Sequence, residues 1–262
     1  VNPNFGMGMA LGNSFDLDSD WRAGFLSSLS YSNGSEVKEE YEGELFSNTD
    51  QGPVSARAYD QIDTTEYSVK WSAMFNLGLE FRKNHKVVYN GTMLNDTVDK
   101  VKDRLGFDEN VNQSDSLRIR SYDVSYEQRD LIAHQLRGTH TFPEWNFIGF
   151  DWKYSDSKAR RKAPGNMNTR FIIEDKNLDG VYDVINEGAL SKASTAARYD
   201  YQDLEDNVEN YGFNLSIPYS VDNGEIEFKM GADFIEKSRN SSLRRFDIDT
   251  RAIVGADLSG HQ

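Results

Sequence analysis

The sequence has no cysteine, five prolines and four histidines, and no apolar run near the ~20 residues of a membrane-spanning helix. Without cysteine there are no disulfides, thiolate metal sites or cysteine nucleophiles, and either redox compartment is open to the chain. Basic residues are scarce: 29 Lys and Arg stand against 43 Asp and Glu, a formal charge of −14 over 262 residues. That deficit argues against nucleic acid as a partner, because phosphate contacts need clustered cations. Hydrophobic residues amount to 37%, thin for a globular core, and the mean hydropathy is −0.69. Such an average reads as water-soluble, yet a transmembrane β-barrel produces it too, with apolar residues at every second position. Catalytic signatures are missing as well. No Gly-x-Ser-x-Gly elbow, His-Glu-x-x-His pair or phosphate-cradling glycine loop occurs, so the chain is not expected to be an enzyme.

What is present is a period of two. From Tyr67 to Phe81 every odd position is apolar or aromatic, and the even positions are polar or glycine except Met74. Alternate strand residues face opposite ways, so this is a strand with one greasy and one wet face, longer than globular strands usually run. The pattern recurs at Phe5–Leu11, Trp21–Tyr31, Ile148–Tyr154, Tyr211–Ile217 and Ile226–Phe234, and less cleanly around Val87–Met93 and Tyr122–His140. Eight strands result. Short connections (Asp16–Asp20, Arg82–His85, Phe142–Glu144, Val221–Gly224) alternate with long segments read as loops at Asn33–Glu66, Asn95–Leu117 and Asp156–Asp206. Aromatic residues gather at both strand ends: Phe15, Trp21, Phe81, Trp145 and Tyr219 by the short turns, Tyr31, Tyr67, Tyr126, Tyr154 and Tyr211 by the long segments. Together these features predict an all-β, antiparallel up-and-down transmembrane β-barrel segment, with short periplasmic turns, long extracellular loops and two aromatic girdles.

Gln135-Leu136-Arg137-Gly138-Thr139-His140 before a short turn resembles strands of TonB-dependent outer-membrane receptors. So do the run Phe228–Arg239 with Arg244-Arg245-Phe246, and the hairpin ending Leu29–Asn33 followed by the acidic stretch Glu36–Glu44. The resemblance covers nearly the whole chain. It implies energised uptake of a scarce nutrient, such as a metal chelate or an oligosaccharide, across a bacterial outer membrane. The implied partners are outer-membrane lipid and lipopolysaccharide, a plug domain of the same longer chain, the TonB complex and a nutrient ligand. No plug and no energy-coupling segment match here, so the chain reads as an internal slice of a longer receptor. Two other readings are an autonomous eight-stranded barrel with a structural or adhesive role, and a soluble secreted β-domain that binds calcium or carbohydrate.

Candidate sites lie in the long segments. Asp175, Asn177, Asp179, the Val181 carbonyl and Asp183, with Gly180 for the sharp turn, follow calcium-loop spacing. Position 12 is Asn186, with Glu187 one residue late, so a plain Asp/Asn/Gly turn competes with a weak calcium site. No other cofactor is expected. Aromatic candidates for ligand contact are Tyr59, Phe107, Tyr199 and Tyr201. The segment Asn33–Glu66 has nine acidic and two basic residues, half the chain's net charge. Lys158, Arg160, Arg161 and Lys162 form a basic run just beyond Trp152 and Tyr154, facing lipid phosphates outside, an anionic ligand inside, or solvent alone. Lys70, Glu80, Asp151, Lys153, Lys229, Asp233 and Lys237 fall on the wet faces and would line a lumen. Val98, Val101 and Leu105 suggest a turn or two of helix. His134 falls on the greasy parity unless a bulge near Asp130 resets the phase.

Overall fold

A computed structural model describes residues 3–49, 52–108, 117–174, 189–190, 196–221 and 224–249. The alternating segments form a single antiparallel sheet. Its strands are β1 (Phe5–Asp16), β2 (Trp21–Thr49), β3 (Gly52–Phe81), β4 (His85–Asp108), β5 (Leu117–Phe142), β6 (Ile148–Glu174), β7 (Ala189–Leu190), β8 (Ala197–Val221) and β9 (Gly224–Ile248). Sheet order follows chain order, β1-β2-β3-β4-β5-β6-β8-β9, and the two-residue β7 pairs with β6. The eight long strands are thus an up-and-down meander, as the alternation predicts. Among the described residues β1 and β9 each have one neighbour and do not pair with each other, so the sheet is open.

Short connections join the strands at one end. Leu17–Asp20 links β1 to β2, Arg82–Asn84 links β3 to β4, and a 3₁₀ turn at Pro143–Trp145 precedes β6. At the other end the described parts of the long segments are mostly strand rather than loop, which corrects the sequence reading there. β2 and β3 run on through the acidic stretch until Thr49 faces Gly52, β4 continues to Asp108, and β6 to Glu174. The reason is that a backbone ladder needs hydrogen-bonded neighbours rather than an apolar face. Beyond Asn33 and Asn95 the strands carry polar side chains on both faces, so the period-two signal fades while the ladder persists. Val98, Val101 and Leu105 lie in β4 and form no helix, because Val98 faces Ser68 and Glu127 across continuous pairing on both sides.

The registers are regular where the apolar residues lie and shift beyond them. Irregularities fall at Glu40/Glu42, at Tyr59/Gln61, at Val124/Gln128 and at Ala163/Asn166. The Val124/Gln128 irregularity ends two residues before Asp130 and pairing is regular from Gln128 to Phe142, so nothing resets the phase between Asp130 and His134, and His134 keeps the greasy parity of Ile132 and Leu136. It is accommodated there by the Tyr89 hydroxyl, 2.7 Å from its Nδ1. Gly106 faces Tyr59 at the second irregularity, where a Cβ would run into the Ala58 carbonyl oxygen, so the close approach requires glycine. Few side chains are buried: Tyr59, Ile62, Ile119, Ala163 and Ala197 are the main ones, all toward the ends away from the short turns.

Candidate functional site

Register and side-chain alternation divide the sheet into two faces. One hydrogen-bonded row runs through Phe15, Ala23, Leu79, Val87, Gly138, Trp152, Phe213 and Ala232. All eight are apolar, aromatic or glycine. The rows around it build an apolar band across every long strand, and no described element covers it. Met9 is 55% exposed, Trp71 42% and Phe228 60%, which a sheet in water avoids by packing a second layer against that face. Among the described residues no second layer exists.

The band does not run straight along the rows. The row through Met9, Leu29, Ala73, Met93 and Ile132 is apolar on the first five strands, then continues as Lys158, Asn207 and Ser238. In the opposite sense, the pairs Phe228–Ile217 and Ile148–Phe142 are apolar just beyond the last β6–β8 and β4–β5 pairs, where β3 and β4 have already given way to the turn at Arg82–Asn84. From β1 to β9 the band slides toward the short-turn end by about one residue per strand, each step close to ~3.3 Å.

Aromatic side chains border it. At the short-turn end Trp21 lies 4.6 Å from Phe81, His85 5.1 Å from Phe142, and Phe142 5.0 Å from Trp145. Trp152 Nε1 donates to His140 Nε2 at 3.0 Å beside them. At the far border of the last strands Tyr211 stacks on Phe234 at 5.5 Å, level with Tyr154. Tyr31 and Trp71 face each other at the same border on β2 and β3.

The opposite face carries paired charges. Lys153 Nζ reaches Asp233 at 2.7 Å and Lys229 reaches Glu227 at 3.0 Å, and Lys153, Asp233 and Lys229 are among the residues predicted to line a lumen. Above the level of the band Arg239 makes two bonds to Asp206 at 2.5 and 2.7 Å, and Arg245 makes two to Asp200 at 2.7 and 2.8 Å. The guanidinium of each arginine holds its aspartate below the usual carboxylate range. Glu127 receives both Arg161 and Arg129, and the bond from Arg161 above all depresses its pKa. Arg161 therefore lies on this face, whereas Lys158, Arg160 and Lys162 continue the parity of Trp152 and Tyr154 on the other.

The four aromatic candidates do not converge. Tyr59 is buried on β3 beneath the Arg104 guanidinium, 5.4 Å away, and Phe107 pairs with the adjacent Ala58. Tyr199 and Tyr201 share one face of β8, separated from β4 by β5 and β6. Tyr201 meets Phe246 edge-on at 5.9 Å. These two rings border a groove of about 860 Å³ lined by Arg160, Lys162, Asp203, Glu205 and Arg244. The sequence reading picked out the basic run but missed Asp203, Glu205, Arg244 and Phe246. Counting in twos from Tyr211 and Phe234 would have found them. The calcium-loop candidates Asp175, Asn177, Asp179, Val181 and Asp183 lie outside the described residues. No other group of three metal-ligating side chains occurs among the described residues. No family model matches the sequence, and no curated protein matches it.

Proposed function

We propose that this chain is part of the wall of an outer-membrane receptor barrel for energised, TonB-dependent uptake of a scarce nutrient. The observation that carries this reading is the uncovered apolar band, continuous over eight strands and oblique to their hydrogen-bonded rows. A slide of one residue per strand, ~3.3 Å against a strand spacing of ~4.8 Å, corresponds to a tilt of about 35°. Membrane barrels tilt their strands by ~35–45°. From Trp71 to Phe81 the strand spans about 33 Å along its axis, or about 27 Å along the membrane normal at that tilt. The apolar belt of such barrels is ~25 Å tall. The length of the band along one strand and its slide from strand to strand are separate features of the chain, and both fit such a barrel.

Two unpaired edges support a barrel of more strands over an autonomous eight-stranded one, which would pair β1 with β9. The exposed band disfavours the soluble β-domain, whose greasy face would aggregate. In this reading the paired charges of Lys153, Asp233, Lys229 and Lys70 line the lumen and meet the plug or the passing solute. A metal chelate or an oligosaccharide is the proposed cargo class.

The experiment has two stages. Folded into phosphatidylcholine vesicles, the chain should acquire tryptophan fluorescence quenched by lipids brominated along their tails, and protease protection of Trp71–Phe81. A stable monomer in buffer without detergent would sink the membrane reading. For transport, cells carrying the complete gene should accumulate the nutrient only while the inner-membrane energising complex is active. Uptake indifferent to that complex would return the closed structural barrel to first place.

A further inference from the structure

We infer that the groove between β6, β8 and β9 seats the phosphorylated sugar headgroup of an outer-leaflet glycolipid. The inference rests on the membrane reading proposed above. Its starting point is position. Arg160, Lys162, Asp203, Glu205, Arg244, Tyr201 and Phe246 keep the same parity as Tyr154, Tyr211 and Phe234, so the groove opens on the face that carries the apolar band. It begins beyond the border aromatics, with the row of Arg160, Glu205 and Asn240. Three rows of about 6.6 Å each separate that row from Tyr154, which places the groove about 16 Å above the aromatic border at the inferred tilt. A cargo solute bound for the lumen would meet the other face. What this groove meets is the sugar layer of the surrounding lipid.

Chemistry narrows the occupant. The groove's two carboxylates are already engaged: Arg160 donates to Asp203 at 3.0 Å, and Lys158 reaches Glu205 at 2.7 Å. Lys162 and Arg244 have no ion-pair partner among the described residues and flank the groove from opposite sides. Two free cations above a neutralised floor favour an anion. Tyr201, 45% exposed, and Phe246, 58% exposed, offer ring surface beside Asn240 and Ser242, the mixture of apolar face and hydrogen-bonding edge that a sugar presents in return. Below the groove Asp156, Glu209 and Glu236 face one another directly across β6, β8 and β9. That row repels phosphate close to the border aromatics and leaves the groove as the favourable height for it.

The test uses the full chain folded into phosphatidylcholine vesicles with and without lipopolysaccharide. Lipid retained after detergent extraction is measured by native mass spectrometry. The wild-type chain should retain lipopolysaccharide, and the double variant Lys162→Glu/Arg244→Glu at least about thirtyfold less, given the usual effect of two cations near an anionic surface. Lys162→Gln/Arg244→Gln, which adds no repulsion, should lose a smaller part, and Lys237→Glu on the opposite face none. Equal retention by wild type and both double variants, all fully inserted, would overturn this inference and leave the membrane reading intact. Failure to insert into any vesicle would overturn both. Lipid-free phosphorylated core oligosaccharide binding as tightly as the intact glycolipid would overturn the lipid assignment.

Discussion

Arg82 and Lys83 occupy left-handed backbone, with φ of 51° and 61°, in the turn closed by the Asn84 amide on the Phe81 carbonyl at 3.2 Å. Tight turns with both central residues in this hand normally take Asn and Gly there. Arg82 has a compensation: its Nε donates to Asp20 at 3.0 Å and its guanidinium lies 5.0 Å from the Phe81 ring centre. Lys83 has no such partner among the described residues. Lys83→Gly should therefore stabilise the vesicle-folded chain by about 0.5 kcal/mol in urea titration, the relieved strain partly offset by unfolded-state entropy. Arg82→Gly should fail to stabilise it, because the link to Asp20 goes with the side chain. Glu127 illustrates the charge logic beyond the band. Its folded pKa is lowered, chiefly by Arg161, so its contribution is present above the ordinary glutamate range and is lost as pH falls through the depressed value. Asp200 and Asp206 behave alike through Arg245 and Arg239. Amide exchange around these residues should accelerate below about pH 4, while Trp71–Phe81 stays protected. Uniform exchange along β5 and β8 at all pH values would count against this account.

Each strand is an element with two chemistries, one per face. On β3, Leu77 belongs to the apolar band and Asn76 to the polar face, though they are adjacent. Leu77→Lys should weaken insertion into vesicles by about 2–4 kcal/mol, as a lysine near the bilayer midplane does, whereas Asn76→Lys should leave it nearly unchanged. Similar losses from both would mean that the faces are assigned wrongly. The same alternation made these strands legible in the sequence, because side-chain parity is a local property of an extended chain. It failed beyond Asn33, Asn95 and Asp156, where neither face is apolar and the pattern carries no period. There the strands are held by ladders and by pairs such as Lys100 with Glu66 and Arg120 with Asp103, whose partners lie 34 and 17 residues away. No local window contains both members.

At the scale of the whole molecule the sheet ends at β1 and β9, and among the described residues each of these edges offers an unpaired row of backbone donors and acceptors. In detergent the chain alone should associate with rising concentration, as seen by sedimentation. Cysteines at Met9 and Met230 should cross-link between copies. A strictly monomeric species cross-linked within one copy would instead indicate closure of eight strands. The groove on β6, β8 and β9 also belongs to this scale, since its cations and rings come from three strands.

Which residues face which way, where the described short turns fall and how many long strands there are can be read from the chain alone. These follow from alternation and turn chemistry, which act between near neighbours. How far the strands extend past the apolar band, which charges meet, that β1 and β9 do not pair among the described residues and that the band runs obliquely across the rows follow from the assembled sheet. Register is the physical reason. Cross-strand hydrogen bonds relate residues far apart in the chain, and both the tilt of the band and the pairing of Arg239 with Asp206 exist only once those bonds are set.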